Sequence, residues 1–70
     1  MSRIARFRQR RKISQKRLAE KVGVSQPTVC DWELKKKVPT GDNLRALSRE
    51  LGVRPSTIMA DYYDSQPMQQ

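Results

Sequence analysis

The run QKRLAEKVGVSQPTVCDWEL, Gln15 to Leu34, limits the folds open to this chain more than any other stretch. Leu18, Ala19 and Val22 recur at three- and four-residue spacing and share one face of a helix. Val29, Trp32 and Glu33 repeat that spacing on a second helix. Gly23, between them, takes positive φ without a Cβ clash and is a C′ stop. Ser25 is placed to accept an amide of the next helix as its N-cap. Pro27 falls in that helix's first turn, where a missing N–H costs nothing. Small Ala19 lets the second helix approach closely, Gly23 permits a sharp turn, and Val29 fills the angle with Leu18, Val22, Val24 and Trp32 behind it.

Two helices set at a steep angle around a glycine turn make a helix-turn-helix, whose second helix suits a DNA major groove. An ordinary αα-hairpin in a small bundle is the alternative reading of the same spacing. Charge separates them in part. Residues 1–40 hold twelve Lys/Arg against Glu20, Asp31 and Glu33, a net of +9, whereas residues 41–70 net −1, for +8 overall. A basic half joined to a near-neutral half suggests one face for a polyanion and another for a different contact. With 70 residues there is one domain and a modest core. One cysteine allows no internal disulfide, and the lack of histidine excludes a Cys/His zinc site. No cofactor is implied. No apolar run nears the ~20 residues of a membrane span. MSRIARFRQRRK lacks the apolar segment of a secretory signal, so a cytoplasmic setting is expected.

The rest of the chain reads as supporting helices. Helix one is expected over 3–12, with Ser2 as N-cap and Ile4, Phe7 and the stem of Arg11 inward. Ser14 caps helix two, over 15–22. Gln15 lies in its first turn, where amides and the helix dipole favour a phosphate. Helix three, over 26–34, is the candidate reading head. Its expected outer face carries Gln26, Pro27, Thr28, Cys30 and Asp31 as base contacts. Gln26 suits adenine, Pro27 and Thr28 suit a thymine methyl, and Asp31 suits cytosine. Arg8 is the expected ion-pair partner of Glu33, pinning helix one to helix three. Lys35, Lys36 and Lys37 form a solvated loop suited to the sugar-phosphate backbone. Thr40 is the expected N-cap of helix four, over 41–51, with Leu44, Leu47 and Leu51 inward and Gly52 as its stop. A short fifth helix follows over 55–60. Ile58, Met59, Tyr62 and Tyr63 form an apolar patch that either caps the chain's own core or meets a second copy as a dimer interface. A helix-turn-helix domain over 1–63 and a disordered tail over 64–70 complete the expected organisation.

FRQRRK-ISQKRLAEKVGVSQPTVCDWE and KKKVPTGDNLRALSRELGV together resemble the Cro/repressor (XRE-type) family of phage and bacterial transcription regulators. The resemblance implies an all-α, compact five-helix domain that binds a double-stranded DNA operator as a homodimer. It also implies a phosphate-clamping Gln15, an adenine-reading Gln26, base-reading Pro27 and Asp31, an Arg8–Glu33 interhelical pair, and backbone contacts from the lysine loop and Thr40. Arg8 and Arg11 join the expected phosphate contacts. The chain length favours a Cro-sized regulator or a fragment of a longer repressor. Some Cro relatives have strands after the fourth helix, so residues 54–63 fit either form.

The main expectation is therefore a sequence-specific repressor of the phage or prophage type, without enzymatic activity and without a small-molecule substrate. No histidine, paired carboxylates or glycine-rich phosphate loop suggests catalysis. An antitoxin-like interaction module that also binds its own promoter is the alternative. A general RNA binder would need exposed aromatic side chains, and Phe7 and Trp32 are expected inside.

Overall fold

Five helices are strung together by short turns in the computed structural model, which describes residues 2–64, with side chains through Tyr62. They are α1 (Arg3–Arg10), α2 (Gln15–Val22), α3 (Gln26–Glu33), α4 (Gly41–Leu51) and α5 (Pro55–Asp64). The described residues are all-α. The expected helices are present, so residues 54–63 are helix rather than strand.

Serine hydroxyls set three of the helix starts. Ser2 accepts the Ala5 amide at 3.0 Å, Ser14 the Arg17 amide at 3.0 Å, and Ser25 the Thr28 amide at 3.4 Å. Each satisfies one of the amides that a first turn leaves without an intrahelical partner. Glycine ends two helices in the left-handed region. Gly23 has φ 88° and donates to the Ala19 carbonyl at 2.8 Å, and Gly52 has φ 70°. That conformation at Gly23 sends the chain back across α2, and α2 and α3 make the most extensive helix–helix contact in the fold.

All five helices contribute to one core. Ile4, Leu18, Val29, Leu47 and Ile58 are fully buried, one from each helix in turn. Ala19, Trp32, Leu51 and Tyr62 complete it, with Phe7, Ile13, Val22, Val24, Leu44, Val53 and Met59 packed around it. Two polar contacts tie α5 to this body. Asp61, itself buried, accepts from the Arg3 amide at the start of α1 and lies 2.7 Å from Arg3 Nη1. The first turn of α1 has no acid of its own, so Asp61 supplies the negative charge that a helix N-terminus favours. The Tyr62 hydroxyl donates to the Trp32 carbonyl at 2.8 Å.

Four expectations are corrected or sharpened. Helix one stops at Arg10 rather than residue 12, because Lys12 takes φ 59°, outside the helical region. Helix five runs to Asp64 rather than 60, because Ile58 and Tyr62 repeat at i, i+4 on a face the core can bury. Asp64 therefore belongs to a helix, while the tail expected beyond it lies outside the described residues. Thr40 is the N-cap of α4, as expected, but its hydroxyl makes no capping bond, and Gly41 opens the helix at φ 56°. Finally, Ile58 is fully buried and Tyr62 nearly so within one protomer. Those two side chains serve the chain's own core, the first of the two readings of the patch. Met59 is half-buried against the same core, and the side chain of Tyr63 lies outside the described residues.

Candidate nucleic-acid interface

The candidate interface is α3 and the chain ends gathered around it. An isolated helix of eight residues would not persist in water, so α3 is held by its inner face. Val29 and Trp32 are buried, and the Trp32 carbonyl takes the Tyr62 hydroxyl. Its C-terminal end is fixed by Glu33. Arg8 Nε donates to Glu33 Oε2 at 2.7 Å and Nη2 to Oε1 at 3.2 Å. This is the side-on, two-bond geometry in which guanidinium and carboxylate match best. Both side chains are mostly buried, at 12% and 9% exposed. Arg8 Nη1 donates to the Ile13 carbonyl at 2.9 Å, which locks the α1–α2 turn to the same guanidinium. Gln15 Nε2 adds a third donor to the carboxylate at 2.9 Å. One carboxylate thus joins α1, α2 and α3.

The Arg8–Glu33 pair stands where sequence spacing put it. The Gln15–Glu33 bond was not foreseen, since a residue in a first turn reads as outward. That bond uses one of the two Nε2 hydrogens of Gln15 and leaves the other as the donor a phosphate would need.

The outer face of α3 is graded. Gln26 and Pro27 are exposed. Thr28 is half-buried, with its hydroxyl 2.9 Å from that of Ser25, so it helps close the cap while keeping its methyl at the surface. Cys30 is a free thiol, half-buried. Asp31 is half-buried, and its carboxylate lies 3.7 Å from Lys37 Nζ. The lysine offsets the repulsion an acid would exert on a nearby phosphate.

The expected phosphate contacts divide. Lys35, Lys36, Lys37 and Thr40 are exposed. Arg11 is exposed too, but its guanidinium is partly engaged within the fold. Its Nε donates to the Leu51 carbonyl at 3.2 Å, and its guanidinium lies over Gly52 at the C-terminal end of α4. Arg11 closes the C-terminus of α4, as a cation near exposed carbonyls does. Leu34 and Val38, on either side of the lysines, remain exposed at 58% and 47%. Trp32 is buried and Phe7 is half-buried beneath the Arg10 guanidinium, 5.5 Å from its ring centroid. Neither offers a free stacking platform. Among the described residues, no helix is long and apolar enough to cross a membrane.

Comparison with known proteins agrees with this geometry. The Helix-turn-helix family matches residues 4–58. Repressor protein C2 of Salmonella phage P22 is 39% identical over 57 residues, covering 81% of this chain and 26% of its own length. The HTH-type transcriptional regulator DicA of Escherichia coli K12 is 40% identical over 65 residues, covering 89% of this chain and 48% of its own length. The chain therefore spans from about a quarter to half the length of these curated relatives. The solution structure of the DNA-binding domain of the P22 C2 repressor, residues 1–76, superposes with a TM-score of 0.76 at 38% identity. That superposition covers 81% of this chain and 75% of the other.

Proposed function

The chain belongs to the Helix-turn-helix family, and on that premise we propose that it is a sequence-specific DNA-binding transcriptional regulator of the repressor type. The observation that carries the reading is the orientation of α3. Its first turn offers Gln26 and Pro27 to solvent while Val29, Trp32 and Glu33 are fixed from behind. A helix held this way enters a major groove without rearranging, and Gln26 meets an adenine edge while Pro27 and the Thr28 methyl face a thymine methyl. Cys30 and Asp31 follow one turn on. Gln15, Lys35, Lys36 and Thr40 contact the flanking phosphates, which set register without reading sequence. Arg8 acts through Glu33 and Gln15.

A homodimer on two half-sites about one helical turn apart belongs to the same reading. So does a cytoplasmic location, where a bacterial or phage operator would be found. With Ile58 and Tyr62 buried, the accessible part of Met59 is what the described side chains of the expected apolar patch offer a second copy. The relatives' names as repressor and transcriptional regulator support the reading, as does the solved DNA-binding domain.

Selection of bound duplexes from a random pool, followed by competition at two salt concentrations, tests it. A defined motif that survives excess random duplex is the expected result. Enrichment of no sequence, with binding lost uniformly as salt rises, would leave only a non-specific polycation.

A further inference from the structure

Among the described residues, two other than glycine have positive φ, and both are lysines: Lys12 at 59° and Lys35 at 64°. An L-residue with a Cβ is strained there, so glycine or asparagine is the ordinary occupant. The chain follows that rule elsewhere, closing α2 with Gly23 and α4 with Gly52. It departs from it after α1 and after α3.

Those two turns lie at one place in the fold. Lys12 precedes Ile13, whose carbonyl takes Arg8 Nη1, and Arg8 grips Glu33, two residues before Lys35. The convergence of three helices on Glu33 thus ties both turns to the start of α2. Ion pairing points the same way. Among the described residues, Lys21 lies 3.9 Å from Glu50 and Lys37 3.7 Å from Asp31. Lys12, Lys16, Lys35 and Lys36 are exposed and have no carboxylate within pairing distance among the described residues. Glu33, two residues before Lys35, is engaged by Arg8 and Gln15. Cations gathered without counter-charge, in a backbone conformation that costs stability, are arranged for an anion from outside.

We propose that Lys12 and Lys35 are retained in left-handed turns as a pair of phosphate contacts on duplex DNA, Lys12 on the α1–α2 side of the reading helix and Lys35 on the α3–α4 side. The inference rests on the DNA-binding reading and adds Lys12 to it. A purely structural role predicts something different. A lysine at a helix C-terminus favours the helix dipole, so its removal would lower stability and leave DNA binding alone.

The test uses Lys12→Gly and Lys35→Gly, with Lys12→Asn and Lys35→Asn as neutral variants that also tolerate positive φ. Each is compared with the unaltered chain by thermal melting and by titration of a fluorescent mixed-sequence duplex across a salt series. Glycine relieves the turn but enlarges the unfolded ensemble, so the melting midpoint should hold or rise by about 2–5 °C. The slope of log affinity against log salt should shrink by about 0.9 for each lysine removed. At 0.1 M salt that corresponds to binding about eightfold weaker. An unchanged slope, or a midpoint that falls in both the Gly and the Asn variant, overturns the proposal. If the unaltered chain binds no duplex at low salt, the DNA-binding reading fails and this inference with it. If it binds and the variants match it, this inference alone fails.

Discussion

Replacing Glu33 by alanine should be among the most damaging single changes to this domain that leave its apolar core untouched. The carboxylate accepts two bonds from Arg8 and one from Gln15, and both members of the ion pair are about nine-tenths buried. Its removal leaves the Arg8 guanidinium enclosed with only the Ile13 carbonyl as an acceptor. Breaking a buried pair from one side costs about 3–5 kcal/mol, because the surviving charge is uncompensated. A chain of 70 residues is expected to hold roughly 4–10 kcal/mol in total at about 0.05–0.15 kcal/mol per residue. The change therefore removes a third of the stability or more. At about 4–8 °C per kcal/mol for a domain of this size, the melting midpoint should fall by at least about 12 °C. A double-mutant cycle isolates the pair: Glu33→Leu, Arg8→Met and the two combined, each unfolded in urea and followed by circular dichroism. The combined variant buries no orphan charge and should recover most of the loss, with a coupling energy of about 2 kcal/mol or more. Glu33→Ala costing under about 1 kcal/mol, with coupling near zero, would place the pair among surface ion pairs and refute its role as the lock on α3.

Tyr62 sets the alkaline limit of stability. Burial, then the negative charges of Asp61 and Glu33, pushes its hydroxyl up to about 12. A folded-state value above the unfolded one means that stability is complete below pH ~10 and is lost as pH rises toward 12, by about 2–3 kcal/mol in all. Tyr62→Phe should lack that alkaline loss and cost about 1 kcal/mol at neutral pH through the missing bond to the Trp32 carbonyl; urea titrations at pH 7 and pH 11 compare the two. Gln26→Ala and Lys36→Ala should separate reading from anchoring. The first relaxes preference at one base pair by about 1–3 kcal/mol, and the second weakens all duplexes alike and lowers the salt slope by about 1. Identical profiles from the two variants in a binding assay on single-base operator variants would contradict that division.

What was legible in the sequence was what short-range chemistry decides. The serine caps, the Gly23 turn and the apolar stripes each depend on residues within one or two turns, and each formed as the spacing implied. The Arg8–Glu33 contact was readable because an acid inside a basic half needs a partner, and one faces it on the adjacent helix. Contacts set by the whole fold were not readable. An aspartate between Ala60 and Tyr62 reads as an outward residue, yet Asp61 is buried and caps α1 from the far end of the chain. The hydroxyl of Tyr62 finds a carbonyl 30 positions earlier. The same limit left the Ile58–Tyr62 face open between two readings. Periodicity identifies an apolar stripe but not whether the core still has room for it, which depends on how the other four helices pack. The packing of Arg11 was unreadable for a related reason. Its acceptor, the Leu51 carbonyl, exists only once α4 has docked.

The division between what could and could not be read follows the division of labour in α3. Its outer residues, Gln26 and Pro27, touch nothing that holds the fold together. Its inner residues are fixed by partners from α1, α2 and α5. Stability is therefore stored behind the helix and specificity displayed in front of it, on a segment too short to be helical alone. The arrangement lets the front change without unfolding the back, so the positions that decide which DNA is bound are those on which the core places the weakest demand. Asp31 marks the boundary. It is half-buried beside Lys37, so a change there alters both the charge facing the groove and the placement of the lysine turn. The side chains that are independent of the fold lie before it, in the first turn of the helix.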